Sequence, residues 1–265
     1  MTVTLTIADG VAEIALNDPT KLNALDDAAI AELSGALAEA QAARVRSLLL
    51  RGEGRAFCAG RDISDMDTST DDARRYLDDV VTPLLHQIAD FPAPTFAAAH
   101  GACLGVGLGL LIATDVVYVA DTAKIGSPFA NLGATLDSGG HALFFERLGA
   151  HRTLDLIYTA ELMSGAEAVA SGLFSRVVPE AELLAFARER ADKVAAGATG
   201  AFLASKRLVA RLRDERIGLW DLVTAENAAQ GELCVSDDYR EGFAAFREKR
   251  KPHFDGAVED SGNRT

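Results

Sequence analysis

The sequence is poor in cysteine, in positive charge and in long apolar runs, and each shortage removes a class of protein. Only three cysteines occur in 265 residues, Cys58, Cys103 and Cys234. They are scattered, odd in number and not at ligand spacing, which argues against a disulfide framework or a zinc site. Reduced thiols in a cytoplasmic setting are the expectation. No apolar run reaches the length needed to cross a bilayer, so no membrane partner is expected. Met1 to Gly10 alternates apolar and polar residues and lacks the basic-then-apolar layout of a signal peptide. Lys and Arg number 26 against 39 Asp and Glu, a formal net charge of −13. Such a field repels phosphate backbones and disfavours nucleic-acid binding as a main function.

What remains is 49% apolar and 25% charged, the profile of an ordinary globular protein. The length suffices for one domain with a full core, or for a large domain with a smaller appendage. Residues 3–7 and 11–16 alternate at period two around Asp9-Gly10, a hairpin signal. Asp18-Pro19-Thr20 is a turn. From Asp26 the pattern becomes helical, with Ile30, Leu33 and Leu37 on one face. Residues 45–50 read as a strand that ends at a Gly52-Glu53-Gly54 loop. A helix is predicted over 71–90, with Tyr76, Val80, Leu84 and Ile88 on its stripe and Pro83 as a kink or late start. Residues 95–99 read as a buried strand, 108–113 as a short helix after a glycine-rich turn, and 116–120 as another strand.

Beyond residue 140 helices dominate: 142–148, 153–159, 166–171, 180–196, 200–212 and 217–231, with 176–178 alone as strand. The alternation followed by helices predicts an α/β core over 1–198 and a helical C-terminal part over 199–265. The polar stretch 255–265 reads as frayed.

Three stretches carry more small residues than folding needs. Arg55-Ala56-Phe57-Cys58-Ala59-Gly60-Arg61-Asp62 follows a strand; it fits a tight turn and a ligand-approached backbone equally well. His100-Gly101-Ala102-Cys103-Leu104-Gly105-Val106-Gly107-Leu108-Gly109 leads into an apolar helix. The free N–H groups of a helix N-terminus suit a phosphate or a developing oxyanion. The glycine spacing there is wrong for a dinucleotide fingerprint. In the third stretch, residues 127–140, Asp137 stands between Leu136 and a glycine pair that opens a helix. Taken alone, the stretch fits an N-cap better than a general base in an apolar pocket. His86, His100 and His141 show no metal-ligand spacing, so no metal is expected and a lone histidine reads as structural. Trp220 reads as core or interface, and Tyr76 as a helix-stripe residue that could also line an acyl pocket.

In this order and at these separations, the three stretches resemble the crotonase superfamily, the enoyl-CoA hydratase/isomerase family. Leu22-Asn23-Ala24-Leu25, Thr114-Asp115, residues 162–168 and residues 172–178 extend the resemblance over nearly the whole chain. It implies a crotonase-like spiral of ββα units, a helical C-terminal trimerisation part, and a homotrimer or hexamer. It also implies an acyl-CoA thioester as partner, with coenzyme A carried by the substrate and no separate cofactor. The thioester oxygen would sit between the backbone N–H groups of Arg61 and Val106, where the family usually has glycine at the second point. Leu22, Ala24, Ala59, Arg61, Asp62 and Ile63 would contact the ligand from one side. Leu104, Gly105, Phe129, Leu132 and Gly133 would contact it from the other. Lys21, Arg55, Arg61 and the run Arg247, Lys249, Arg250 and Lys251 could offset the global charge, although each alone reads as a solvated surface cation.

The two glutamates that the family's hydratases use fall at Gly109 and Phe129, which carry no proton. Asp137 falls where the isomerase branch has its single carboxylate. The resemblance therefore implies movement of a double bond, or a related ring expansion, with Asp137 as acid and base. Hydration by atypical groups and a non-catalytic acyl-CoA binder are the rivals. An RNA-binding relative is disfavoured by charge. An aryl-CoA dehalogenase is a weaker reading, because its ring-facing tryptophan and histidine fall at Phe129 and Thr82.

Overall fold

The computed structural model describes residues 1–64 and 66–255; of the stretch read as frayed, 256–265 lie outside the described residues. The chain opens with β1 (Val3–Ala8) and β2 (Val11–Leu16), antiparallel across Asp9-Gly10 as the alternation predicts. Both turn residues have positive φ, as a two-residue hairpin of this kind requires. Helix α1 (Asp27–Ala42) is capped by Asp26, whose side chain accepts from the Ala29 N–H, and it buries Ile30, Leu33 and Leu37. Strand β3 (Ser47–Gly52) starts two residues later than expected. Val45 is instead held in the turn after α1, where its N–H donates to Ala40 O.

The helix predicted over 71–90 is three joined pieces: α2 (Ala73–Tyr76), a π-helical segment Leu77–Val81, and α3 (Thr82–Ala89). Pro83 therefore does not delay the start of the helix, which already runs through α2 and the π-helical segment before it. The Thr82 N–H reaches back to Leu77 O, and this wider turn relieves the clash between a proline ring and the preceding carbonyls. The extra residue shifts the buried stripe to Tyr76, Val81, Leu84 and Ile88, leaving Val80 only half-buried.

Strand β4 (Thr95–Ala99) is buried throughout. The glycine-rich turn after it holds a strand that the sequence did not reveal, β5 (Ala102–Leu104), and α4 (Val106–Ala113) starts two residues earlier than expected. Strand β6 (Val116–Ala120) matches expectation, whereas β7 (Lys124–Gly126) is too short to announce itself. Helix α5 (Gly140–Thr159) is two helices joined at Gly149, whose φ of 74° and ψ of 171° are not helical, in line with the two separate helices read there. Strand β8 (Met163–Ser164) was also unforeseen. Then come α6 (Gly165–Ala170), β9 (Arg176–Val178), α7 (Glu180–Ala195), α8 (Thr199–Glu215), α9 (Leu219–Leu233) and α10 (Asp237–Glu248), the last of which the sequence reading did not single out.

One sheet has six strands in the order β1-β2-β3-β4-β6-β9, parallel from β2 onward; the other has three, β5-β7-β8. Residues 47–50 and 95–99 are all buried, as central parallel strands covered on both faces should be. Helix α7 lies across β3, β4 and β6. This is the mixed α/β architecture expected. Helices α8–α10 bury little: Thr199 and Ala204 in α8, none in α9, Ala245 in α10. Lys206 of α8 pairs with Asp115 Oδ2 at 3.0 Å and donates to Phe91 O. Arg46 donates to Gly197 O, Thr199 Oγ1 and Phe254 O, which ties the turn before α8 and the segment after α10 to the residue preceding β3.

Candidate active site

The site is built where two turns are clamped together. Residues 56–60 run beside β5: the Cys58 N–H donates to Ala102 O and the Leu104 N–H to Cys58 O, both at 3.0 Å. The next turns then meet. A Cβ on Gly60 would lie 2.9 Å from Leu104 O and 3.6 Å from Val106 N, and Gly60 itself has a φ of +102°. Only glycine fits that approach.

On its other side the first turn pairs with residues 22–25. The Leu25 N–H donates to Gly60 O and the Asp62 N–H to Leu25 O. In a parallel bridge of this register the intervening residue turns its own N–H and C=O away. The Arg61 N–H is thus released, and among the described residues it has no protein acceptor. The Val106 N–H is the first of α4 and is likewise unpaired among the described residues; helix N-termini leave such donors free. Valine does not distort this turn. The left-handed conformation belongs to Gly105, with φ +53°, and the Val106 side chain is buried in the core.

Asn23 holds the 22–25 segment in place and was not recognised as a site-former. It is fully buried at a φ of 56°. Its amide donates to Glu53 O at 2.9 Å and Ala56 O at 2.7 Å, and its Oδ1 accepts from the Asp18 N–H. Nothing in the sequence except the left-handed tolerance of asparagine hints at this.

Asp137 is not an N-cap. Gly139, in left-handed conformation, occupies the cap of α5, and no side chain caps it. The Asp137 carboxylate instead accepts from Ser138 Oγ at 2.8 Å. Burial raises its pKa, opposed by the Ser138 hydroxyl and by the charge of His141. The Asp137-Ser138 turn packs on α4 at Gly109: a Cβ there would lie 2.6 Å from Ser138 Cβ. A glutamate at position 109 would thus collide with the turn that carries Asp137.

The remaining expected contacts fall into three groups. Leu22, Ala24 and Ala59 are half-buried in the paired segments, with the Ala59 N–H donating to Leu22 O. Leu104, Gly105 and Phe129 surround the second turn. The Phe129 ring lies over Gly105, 3.0 Å from where a Cβ would be, and Ser127 Oγ accepts from the Gly105 N–H. Ile63, Leu132 and Gly133 are exposed. Three of the seven cations proposed to attract an anionic ligand already have acidic partners: Lys21 with Asp62 at 2.6 Å, Arg61 with Asp71 at 2.8 Å, and Arg250 with Glu241 and Glu248. The Lys21 ammonium beside Asp62 holds that carboxyl well below its usual range.

A cleft of about 350 Å³ opens beside the first turn, lined by Lys21, Leu25, Asp27, Arg61, Asp62 and Tyr76 among others. Asp137 is not in its wall. Tyr76 links the two: its ring lies under the Arg61 guanidinium, 4.0 Å from the centroid, and its phenol feels the charges of both Asp27 and Asp137.

The enoyl-CoA hydratase/isomerase family model matches residues 6–257. A Rhodobacter capsulatus protein named a probable enoyl-CoA hydratase is 36% identical over 96% of this chain and 98% of its own. The 1,2-epoxyphenylacetyl-CoA isomerase of Escherichia coli K12 is 30% identical over 94% and 97%. The crystal structure of an enoyl-CoA hydratase from Bacillus anthracis superposes with a TM-score of 0.87 at 29% identity, covering 97% of this chain and all of that one.

Proposed function

The chain belongs to the enoyl-CoA hydratase/isomerase family, and we propose that within it the protein moves a double bond in an unsaturated acyl-CoA, with Asp137 as acid and base. Removing a Cα proton places negative charge on the thioester oxygen. The free N–H groups of Arg61 and Val106, on touching turns, would hold that charge, each such donor being worth roughly 3 kcal/mol of barrier. Asp137 would take the proton from Cα and return it at Cγ, so one carboxylate spanning three carbons serves both steps. Its raised pKa suits a group that must both accept and release a proton.

One observation carries this reading. By the family resemblance, Gly109 and Phe129 fall where the hydratases have glutamates, and the Asp137-Ser138 turn fills the space at Gly109. Water addition needs a second group to orient the water. Hydration by atypical groups is the second reading, favoured by the names that many of the relatives carry. The two separate in one assay pair. Isomerisation predicts that 3-hexenoyl-CoA gains conjugated absorbance while crotonyl-CoA is unchanged. Loss of crotonyl-CoA absorbance, with 3-hexenoyl-CoA unchanged, would reverse the assignment.

We also infer self-association through the C-terminal helices into a trimer or hexamer. Helix α9 buries no residue in the single chain, and Leu219, Trp220 and Phe246 are more than 60% exposed.

A further inference from the structure

A serine stands at a backbone position that favours other residues. The Asp137–Gly140 turn has positive φ at both central residues, 52° at Ser138 and 88° at Gly139, and the Gly140 N–H donates to Asp137 O at 2.9 Å. This is a type I′ turn, whose first central position is normally glycine, asparagine or aspartate. Another side chain at positive φ is strained, and such strain collects at functional sites. Among the described residues the Ser138 hydroxyl makes a single hydrogen bond, the 2.8 Å donation to Asp137 Oδ1. Its Cβ sits against the bare Cα of Gly109 on α4, where an added methyl group would come within 2.6 Å of it. Turn and helix together thus fix where the hydroxyl lies.

The bond makes the two carboxylate oxygens unequal. Oδ1 is occupied by Ser138. Oδ2 has no hydrogen-bond partner among the described residues, and it is not one of the unpaired side-chain atoms closed to solvent. A carboxylate without such a tether turns about its Cβ–Cγ bond and offers either oxygen. On the reading of Asp137 as acid and base, on which this step rests, one orientation must serve two carbons. We propose that Ser138 is a positioning residue, whose hydroxyl holds Oδ1 so that Oδ2 alone carries the proton from Cα to Cγ. First the Cα–H bond breaks, the Oδ2–H bond forms, and the bonding pair passes into the thioester dienolate. Then the Oδ2–H bond breaks and the dienolate pair forms the Cγ–H bond, which restores the carboxylate. A donated hydrogen bond also favours the charged form of its acceptor. Burial raises the Asp137 pKa, and the Ser138 hydroxyl and the charge of His141 on α5 oppose it. Helix α4 and residues 129–132, both packed on α5, contain no charged residue. The Tyr76 phenol of α2 is kept neutral by burial and has no hydrogen-bond partner among the described residues. Loss of the Ser138 hydroxyl should therefore raise the Asp137 pKa further.

The test follows deuterium exchange at Cα of 3-hexenoyl-CoA across pH in wild type, Ser138→Gly and Ser138→Ala, each checked for folding by thermal melting. Glycine suits the positive φ, and alanine keeps the Cβ contact with Gly109, so an effect common to both comes from the hydroxyl. Both variants should lose roughly tenfold in plateau exchange rate, with KM little changed and the acid limb moved to higher pH. An unchanged plateau and limb in Ser138→Gly overturn the proposal. So does a loss confined to Ser138→Ala, which reports backbone strain alone. Ser138→Gly decides the matter if the alanine variant does not fold. Asp137→Asn in the same assay keeps the two readings apart. Exchange that persists in it overturns the acid–base assignment and this step with it; exchange lost there but intact in both serine variants overturns the role of Ser138 alone.

Discussion

Asp137 shows how a residue's neighbours decide its role. By sequence it suits a helix cap, since acids before a glycine pair at a helix start are common. The left-handed Gly139 takes that cap and leaves the carboxylate half-buried beside Ser138 and His141. Its raised pKa has two consequences of defined sign. A base must be ionised, so Cα exchange should rise with pH, and its acid limb should lie above the usual aspartate range. Between the unfolded and folded pKa values the native state holds the extra proton, so this group's contribution to stability declines as pH rises through that window. Asp137→Asn should flatten that part of the stability profile in urea titrations at pH 4 and pH 7. An unchanged slope would mean that the carboxyl is not desolvated. The residue-scale features the sequence concealed are of this kind. The buried Asn23 latch and the orphan Tyr76 hydroxyl depend on contacts between segments that no local pattern encodes.

At the scale of elements, the hairpin and the long helices were legible because period two and period 3.6 persist over enough residues to register. Strands β5, β7 and β8 have three, three and two residues, too few for a period to show. The π-helical segment was hidden for another reason. It answers a steric demand of Pro83 that is met by inserting one residue, and the hydrophobic stripe absorbs it by moving from Val80 to Val81. The clamp between the first turn and β5 is where function depends most on these short elements. A methyl group on Gly107 would lie 2.4 Å from Cys58 O, the carbonyl that accepts from the Leu104 N–H. Gly107→Ala should therefore cost about 1–3 kcal/mol of stability and lower the Cα exchange rate by separating the two turns. Gly35→Ala, on the exposed face of α1 with no atom within 4 Å of the added Cβ, should gain about 0.5–1 kcal/mol. Chemical denaturation of the pair checks both signs.

At the scale of the whole molecule, the proposed reading matches a strongly acidic protein to an anionic thioester through uncharged donors, main-chain amides at two turns, with Lys21 and Arg61 already engaged by acids. Binding should therefore depend less on salt than a cluster of free cations would make it. The exposed apolar residues of α9 and α10 set the other large-scale expectation. Light scattering should give the mass of three or six chains, and Trp220→Glu should lower it; a monomer in the wild type would contradict the inferred interface. The claim on which the account turns is that a single carboxylate moves the proton while amides hold the charge. Deuterium exchange at Cα of 3-hexenoyl-CoA, followed by mass spectrometry in wild type and Asp137→Asn, tests it most directly. The account predicts exchange in the wild type and a loss of at least about 100-fold in the variant, with acyl-CoA affinity retained. Exchange that proceeds undiminished without the carboxylate would contradict it.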